Sequence, residues 1–516
     1  MNGADSLILT LIGAGVEVCF ANPGTSEMQL VAAIDKHDGI RAILGLFEGV
    51  VTGAADGYGR MADKPAVTLL HLGPGFGNGM ANLHNARRAR SPIVNIVGDH
   101  ATYHLKYDAP LTSDVVGFAK PVSDWVCMSS SAYELAANGA ATVAASQEYP
   151  GAIATLIVPA DHAWDAAEGP AAVIAPAKPQ EADQSAIDAA CAALKSGETT
   201  AIFLGGMALR EDALDQAGRI AEATGARLLC ETFPARLQRG AGRVPVERLP
   251  YFGEMASDYL NDFQQIIMVG AKPPVAFFAY PEKPGWLSPE TAKITVLAEP
   301  REDALSALRS VANQIDAPAQ HELAQPEGTI PAPAGKLDPM GIGAVLGALI
   351  PEDAIISDEA ATAGLALFPT TAGAPKHDWM ALTGGSIGQG LPLGVGAAVA
   401  CPDRKVICLQ ADGSAMYTVQ ALWTMARENL DVTTVIFNNG SYAILNIELQ
   451  RVGVANPGPK ALSLLDLTNP EIDWVSISEG MGVPAKRADT VEVFRDALTE
   501  ALSHKGPRLV EAVIKP

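Results

Sequence analysis

Charge is the first shortage in this sequence. Only 18% of its 516 residues are charged, and 36 lysines and arginines face 58 acids, for a net charge of −22. No stretch is rich in Lys or Arg, which argues against a nucleic-acid partner and against an anionic membrane surface. Cysteine is also sparse. Cys19, Cys127, Cys191, Cys230, Cys401 and Cys408 form no CxxC pair. Isolated in mostly apolar runs, they read as reduced core residues, and a cytoplasmic protein is expected. Long hydrophobic runs are missing too. No apolar stretch of about 18 residues escapes polar interruption, so no membrane-crossing helix is expected. The opening MNGADSLILTLIGAGVEVCF has no basic leader region and turns amphipathic at once, so no signal peptide is expected. The dinucleotide fingerprint GxGxxG is absent as well. In GPGFGNG the residue three beyond Gly75 is Asn78, which leaves an NAD-dependent oxidoreductase without its main sequence support.

What remains is apolar and long. Hydrophobic residues make up 48% of the chain, enough for large cores and for extensive subunit contacts, and the length suggests about three domains. Residues 1–170 alternate strand and helix: VEVCFANPG, IRAILGL, PAVTLLHLG, SPIVNIVGD and ATLIVPAD read as strands between helical stretches. The glycine-rich GPGFGNG reads as a loop before the helix MANLHNARRA. Alternation of this kind implies a mostly parallel sheet covered on both faces. A soft linker at about 166–184 leads to a middle domain, 185–316, with strands AIFLG, RLLCE, QIIMVG and ITVLAE. A Pro- and Ala-rich linker follows, and the third domain is 337–516. The expected fold class is α/β, with three doubly wound, mostly parallel-sheet domains.

One stretch of the third domain concentrates polar chemistry. An apolar run from Val406 ends at Gln410, the turn Ala411-Asp412-Gly413 follows, then a helix opening at Ser414, then VTTVIF and Asn438-Asn439-Gly440. That is a βαβ unit. It sets Asp412 and Asn439 at the carboxyl ends of two parallel strands, where open α/β sheets bind ligands. One carboxylate, one amide oxygen and a nearby carbonyl suit a small hard cation such as Mg²⁺. The N–H groups at the helix start suit phosphate. An ordinary turn with an Asp cap would explain Asp412 alone, but not the whole set.

The spacing from Asp412-Gly413 to Asn438-Asn439 resembles the thiamine diphosphate (ThDP) motif, GDG followed by a spacer and NN, with Ala411 replacing the first Gly. The phrase ADGSAMYTVQALW…NNGSY is similar to the benzoylformate decarboxylase and acetolactate synthase large-subunit family. The resemblance runs along nearly the whole chain and is strongest at 20–100 and 380–450. It implies a pyrimidine-binding, a central and a diphosphate-binding domain, with ThDP and Mg²⁺ as cofactors. It also implies that Asp412, Asn439 and the carbonyl of Ser441 hold the metal. Gly413, Ser414 and Tyr442 stand beside the diphosphate, and Thr362 in DEAAT aligns with a diphosphate-contacting Ser/Thr stretch.

Further residues follow by the same likeness. FEGVVTGAADGYGR resembles the motif whose glutamate, here Glu48, hydrogen-bonds N1′ of the aminopyrimidine. LLHLGPGFGNGMANLHNA resembles the decarboxylase segment whose histidine, here His71, moves protons. Thr25 in NPGTSE matches the serine beside the substrate carboxylate. In LTGGSIGQGLP, Gly385 would accept from N4′ and Ile387 would brace the cofactor from below. The segment from Tyr442 to Val454 resembles the helix that closes over the cofactor.

The activity implied is decarboxylation of a small 2-oxo acid, with release of an aldehyde or carboligation to a 2-hydroxy ketone. Acetolactate synthesis and a catalytically silent ThDP-binding subunit are the alternatives. A homodimer or homotetramer with active sites between subunits is implied. Two features depart from the family. Pro110-Leu111 stands where acetolactate synthases carry Phe-Gln, and KPPVAFFAYPEK lacks the decarboxylase's second histidine, offering Phe277, Phe278 and Tyr280 instead. No flavin signature stands out in the middle domain, and FAD is not expected.

Overall fold

The computed structural model describes residues 1–514. It contains three sheets. The first has six parallel strands in the order Arg41–Leu44, Val18–Asn22, Ala66–Leu70, Ile93–Asp99, Ile153–Pro159, Trp125–Met128. Its central strands are buried at every position, which is why they read as unbroken apolar runs. The second sheet, also parallel, runs Glu247–Arg248, Arg227–Cys230, Thr200–Leu204, Gln265–Val269, Lys293–Ala298. The third runs Ala485–Ala488, Arg508–Val513, Val432–Asn438, Val406–Ala411, Ala354–Glu359, His377–Ala381, Leu237–Arg239.

That last strand crosses from the middle segment. Leu237–Arg239 pairs antiparallel with His377–Ala381, so a strand from within 185–316 joins the third sheet. The strap between the second and third sheets is coil, as expected, but it is tied down. Gln325 N donates to Arg243 O at 2.7 Å and Gly242 N to Gln325 O at 2.9 Å.

The first and third sheets meet through two helices of small residues, Glu48–Ala62 and Gly390–Ala400. A Cβ on Gly57 would overlap the Leu393 carbonyl, and one on Gly396 the Ala54 carbonyl. Only glycine permits so close an approach. Buried polar groups pin the same contact. Arg60 pairs bidentately with Asp56, both bonds 2.8 Å, and donates to Ala381 O at 2.9 Å. This junction fixes Glu48, at the start of one helix, relative to the loop that enters the other. Among the described residues no helix is long and apolar enough to cross a membrane.

Candidate active site

Two clusters of polar side chains form at strand ends. In the first, Glu48 opens the helix Glu48–Ala62, is buried, and accepts a hydrogen bond from Asn78 Nδ2 at 3.0 Å. Asn78 and His71 belong to one neighbouring segment, Asn78 within a helix and His71 at its N-cap. The strand Ala66–Leu70 delivers His71, and the helix Leu72–Ala89 begins immediately after it. This corrects the sequence expectation, because GPGFGNG is the first part of that helix and not a loop. Its glycines serve close packing. A Cβ on Gly75 would stand 3.0 Å from Glu48 Oε1, and one on Gly79 2.7 Å from Thr52 Cγ2.

His71 has a partner that sequence reasoning missed. Glu27 is completely buried, and its Oε2 accepts from His71 Nδ1 at 2.8 Å and from Gly24 N at 2.7 Å. Burial pushes the Glu27 carboxyl above its usual range, against the opposing pull of His71. Its second oxygen, Oε1, is buried with no partner among the described residues. With Nδ1 engaged by the carboxylate, Nε2 of His71 is the nitrogen left for a ligand. Two glycines make room for the pair: a Cβ on Gly24 would overlap the His71 ring, and one on Gly98 would overlap Glu27 Oε1. Thr25 lies exposed on the same turn, two residues before Glu27. Only the NPGTSE turn hinted at Glu27, and there it reads as a cap.

The second cluster follows the βαβ reading. Ala411 and Phe437 face each other in register, so Asp412 and Asn439 leave neighbouring strands within one residue of the same level. Asp412 is buried and accepts from Gly413 N at 2.9 Å and Gly440 N at 2.8 Å. Asn439 Oδ1 accepts from Ser441 N at 2.9 Å. The Tyr442 ring covers Gly413, where a Cβ would overlap it. The helix here begins at Asp412, not Ser414, and runs only to Ala415 before a second one, Ala421–Arg427. The buried Ser414 hydroxyl donates to Ala411 O at 3.1 Å and accepts from Gln410 Nε2 at 2.8 Å, turning inward. Among the described residues no group of three or more His, Cys, Asp or Glu side chains is placed to hold a metal. A cation here depends on the mixed oxygen set of Asp412, Asn439 and backbone.

The loop between the clusters is held by a second missed carboxylate. Glu359 accepts from Gly388 N at 2.6 Å and Gly390 N at 2.5 Å, and burial raises its carboxyl to about 7. Gln410 commits its amide N–H to Ser414, while its buried Oε1 lacks a donor partner. On this loop Gly385 is exposed at φ 74°, with Phe277 Cε1 3.7 Å from where its Cβ would be. Ile387 is half-buried, and Asn82 Nδ2 reaches Gly388 O at 3.2 Å. His84 Nε2 lies 3.1 Å from Gly384 O, a contact between the first and third sheets. Thr362 sits half-buried in the turn before the helix Gly364–Thr370.

The family described as thiamine pyrophosphate enzyme, N-terminal TPP binding domain, matches residues 1–118, and its C-terminal TPP binding domain matches residues 365–512. The chain is 54% identical to a Mycobacterium tuberculosis protein named "Putative acetolactate synthase large subunit IlvX", over 100% of this chain and 99% of that one. The chain belongs to the thiamine pyrophosphate enzyme family. Benzoylformate decarboxylase of Pseudomonas aeruginosa is 29% identical over 96% of each chain. The structure of a ThDP-dependent 4-hydroxybenzoylformate decarboxylase from Rhodococcus jostii superposes with a TM-score of 0.86, at 26% identity and 99% coverage of both chains.

In this thiamine pyrophosphate enzyme the residues present fit the cofactor. The donors at 412 and 439 are hard oxygens, and the Glu48 carboxylate stands at a buried helix start.

Proposed function

We propose that this ThDP-dependent enzyme decarboxylates a 2-oxo acid and releases an aldehyde, with His71 Nε2 as the proton donor. The observation that carries this reading is the Glu27–His71 hydrogen bond beside Glu48. A histidine whose Nδ1 is fixed by a buried carboxylate presents Nε2 in a defined direction, as general acid–base work needs. The names of the decarboxylase relatives support it.

Asp412, Asn439 and the Ser441 carbonyl would hold Mg²⁺. Gly413, Ser414, Tyr442 and Thr362 would hold the diphosphate, and Gly385 and Ile387 would hold the rings. When bound, ThDP supplies the electron sink that makes loss of CO₂ from a 2-oxo acid accessible. Glu48 holds and returns a proton at its carboxylate. Thr25 orients the substrate carboxylate through its hydroxyl. His71 gives up its Nε2 proton to the product carbon and regains one from solvent, with Glu27 stabilising the charged ring.

A second copy of the chain completes each site. Support comes from apolar side chains left exposed beside both clusters: Met28 and Leu46 near Glu27 and Glu48, Tyr417 and Leu464 near Asp412 and Ser441. Charge scarcity fits burial of such faces in a dimer or tetramer. Six unpaired cysteines support a cytoplasmic setting.

Acetolactate synthesis is the second reading. The name of the 54% identical relative favours it. A coupled assay of aldehyde release across a panel of 2-oxo acids tests the proposal. The expected result is turnover that falls at least about 100-fold in Glu48→Gln. Conversion of every 2-oxo acid without any aldehyde would overturn it.

A further inference from the structure

A cleft of about 240 Å³ opens where the middle segment meets the third sheet, lined among others by Arg239, Val246, Arg248, Gln325, Phe368 and Ala372. That is several times the roughly 30 Å³ a water molecule takes in the liquid. Two guanidinium groups share one aromatic ring there. Arg239 lies 3.8 Å and Arg248 4.1 Å from the centroid of Phe368. The ring offsets part of the cost of desolvating a cation, but it brings two like charges together.

Neighbouring buried arginines each have a carboxylate: Arg60 has Asp56, Arg236 has Asp378 and Arg243 has Glu211. Among the described residues neither Arg239 nor Arg248 has a carboxylate oxygen within 4.0 Å. Arg239 at least donates to Thr371 Oγ1 at 3.2 Å and to Phe368 O at 2.6 Å. The half-buried Arg248 guanidinium donates no hydrogen bond to any described residue. Asp358 is the acid whose field acts on both. Its oxygens are taken by Ala360 N and Trp379 Nε1, and burial raises its carboxyl. The cleft is also lined by the exposed Glu247, which is paired with Arg227, so its lining carries excess positive charge, with the free donors of Arg248 and an apolar wall of Val246, Phe368 and Ala372. That combination recognises a small oxyanion.

We infer that this cleft binds a small oxyanion, a carboxylate or a phosphate, between Arg248 and Arg239 at the Phe368 ring. The site shares no residue with the catalytic clusters and stands independently of the decarboxylase reading. Phe368 lies on the helix Gly364–Thr370, which follows Thr362, and Gln325 belongs to the strap. An occupant thus joins three parts of the chain.

Isothermal titration of holoenzyme, saturated with ThDP and Mg²⁺ so that the diphosphate site is filled, tests this. Benzoate and inorganic phosphate are titrated separately at constant ionic strength. The expected result is a Kd of about 1 mM or tighter for at least one of them. Binding should weaken at least about tenfold in Arg248→Met and in the cleft-filling Ala372→Phe, while ThDP affinity and turnover are kept. Benzoate alone binding assigns the site to carboxylates, phosphate alone to phosphoryl groups. Failure of both probes overturns the inference, as does equal binding by wild type and Arg248→Met.

Discussion

Glu27 accepts a hydrogen bond from His71 Nδ1 across 44 residues of sequence, at 2.8 Å, with its own second oxygen buried and unpartnered. A carboxylate in so dry a place is costly unless it interacts with a cation, and His71 becomes that cation whenever its ring holds two protons. The pair therefore does more than brace a turn.

Glu27→Gln keeps the shape and removes the charge. The expected outcome is a fall in kcat of about 10- to 100-fold with ThDP affinity unchanged. Steady-state kinetics beside a ThDP titration checks it. An unaltered pH–rate profile in the variant would mean that the carboxylate does not act through His71.

Gly24→Ala tests the same geometry from the other side, since its Cβ would overlap the His71 ring. Turnover should drop at least about tenfold, because the ring must move away from Glu27. A variant as active as wild type would show that His71 tolerates displacement.

Asp412 holds the turns at Gly413 and Gly440 together and offers a hard oxygen to a cation. Asp412→Ala should weaken Mg²⁺-dependent ThDP binding by more than about tenfold, read by quenching of intrinsic fluorescence or by calorimetry. Retained affinity would move the metal elsewhere.

Glu359 ties stability to pH. Its folded pKa of about 7 lies above the ordinary 4.5, so the neutral form stabilises the fold below pH 4.5. As pH rises from 4.5 through 7 the unfolded chain gives up the proton first, and this contribution is lost. At about 1.4 kcal/mol per tenfold change in proton affinity, the loss is roughly 3 kcal/mol. Denaturant unfolding of wild type and Glu359→Gln at several pH values should show the variant losing less stability between pH 5 and 8. Parallel curves would contradict a raised Glu359 pKa.

If each site uses Glu48 of one chain and Asp412 of another, two dead variants should rescue each other. Mixing Glu48→Gln with Asp412→Ala and letting subunits exchange should restore about a quarter of wild-type activity. No recovery, in mixtures shown to contain hybrids, would place both residues in one chain.

Much of this was legible in the sequence for physical reasons. Parallel strands buried on both faces appear as apolar runs, and their ends appear as Asp412, Asn439 and His71. What stayed hidden depends on contacts between distant segments. GPGFGNG looked like a loop because glycine disfavours helices. It is helical because Glu48 and Thr52 press against Gly75 and Gly79, where a side chain would collide. The three-residue strand Leu237–Arg239 is too short for any periodic signal, and its partner lies more than a hundred residues away. Glu27 and Glu359 look like ordinary turn acids until the fold supplies the ring of His71 and the amides of Gly388 and Gly390.

The most direct test is NMR product analysis of the ThDP- and Mg²⁺-loaded enzyme with benzoylformate and pyruvate in separate reactions. Glu48→Gln and His71→Ala serve as controls. The account predicts that benzaldehyde appears from benzoylformate, is lost in Glu48→Gln and is strongly slowed in His71→Ala. Acetolactate from pyruvate, formed at an undiminished rate by His71→Ala, would contradict it.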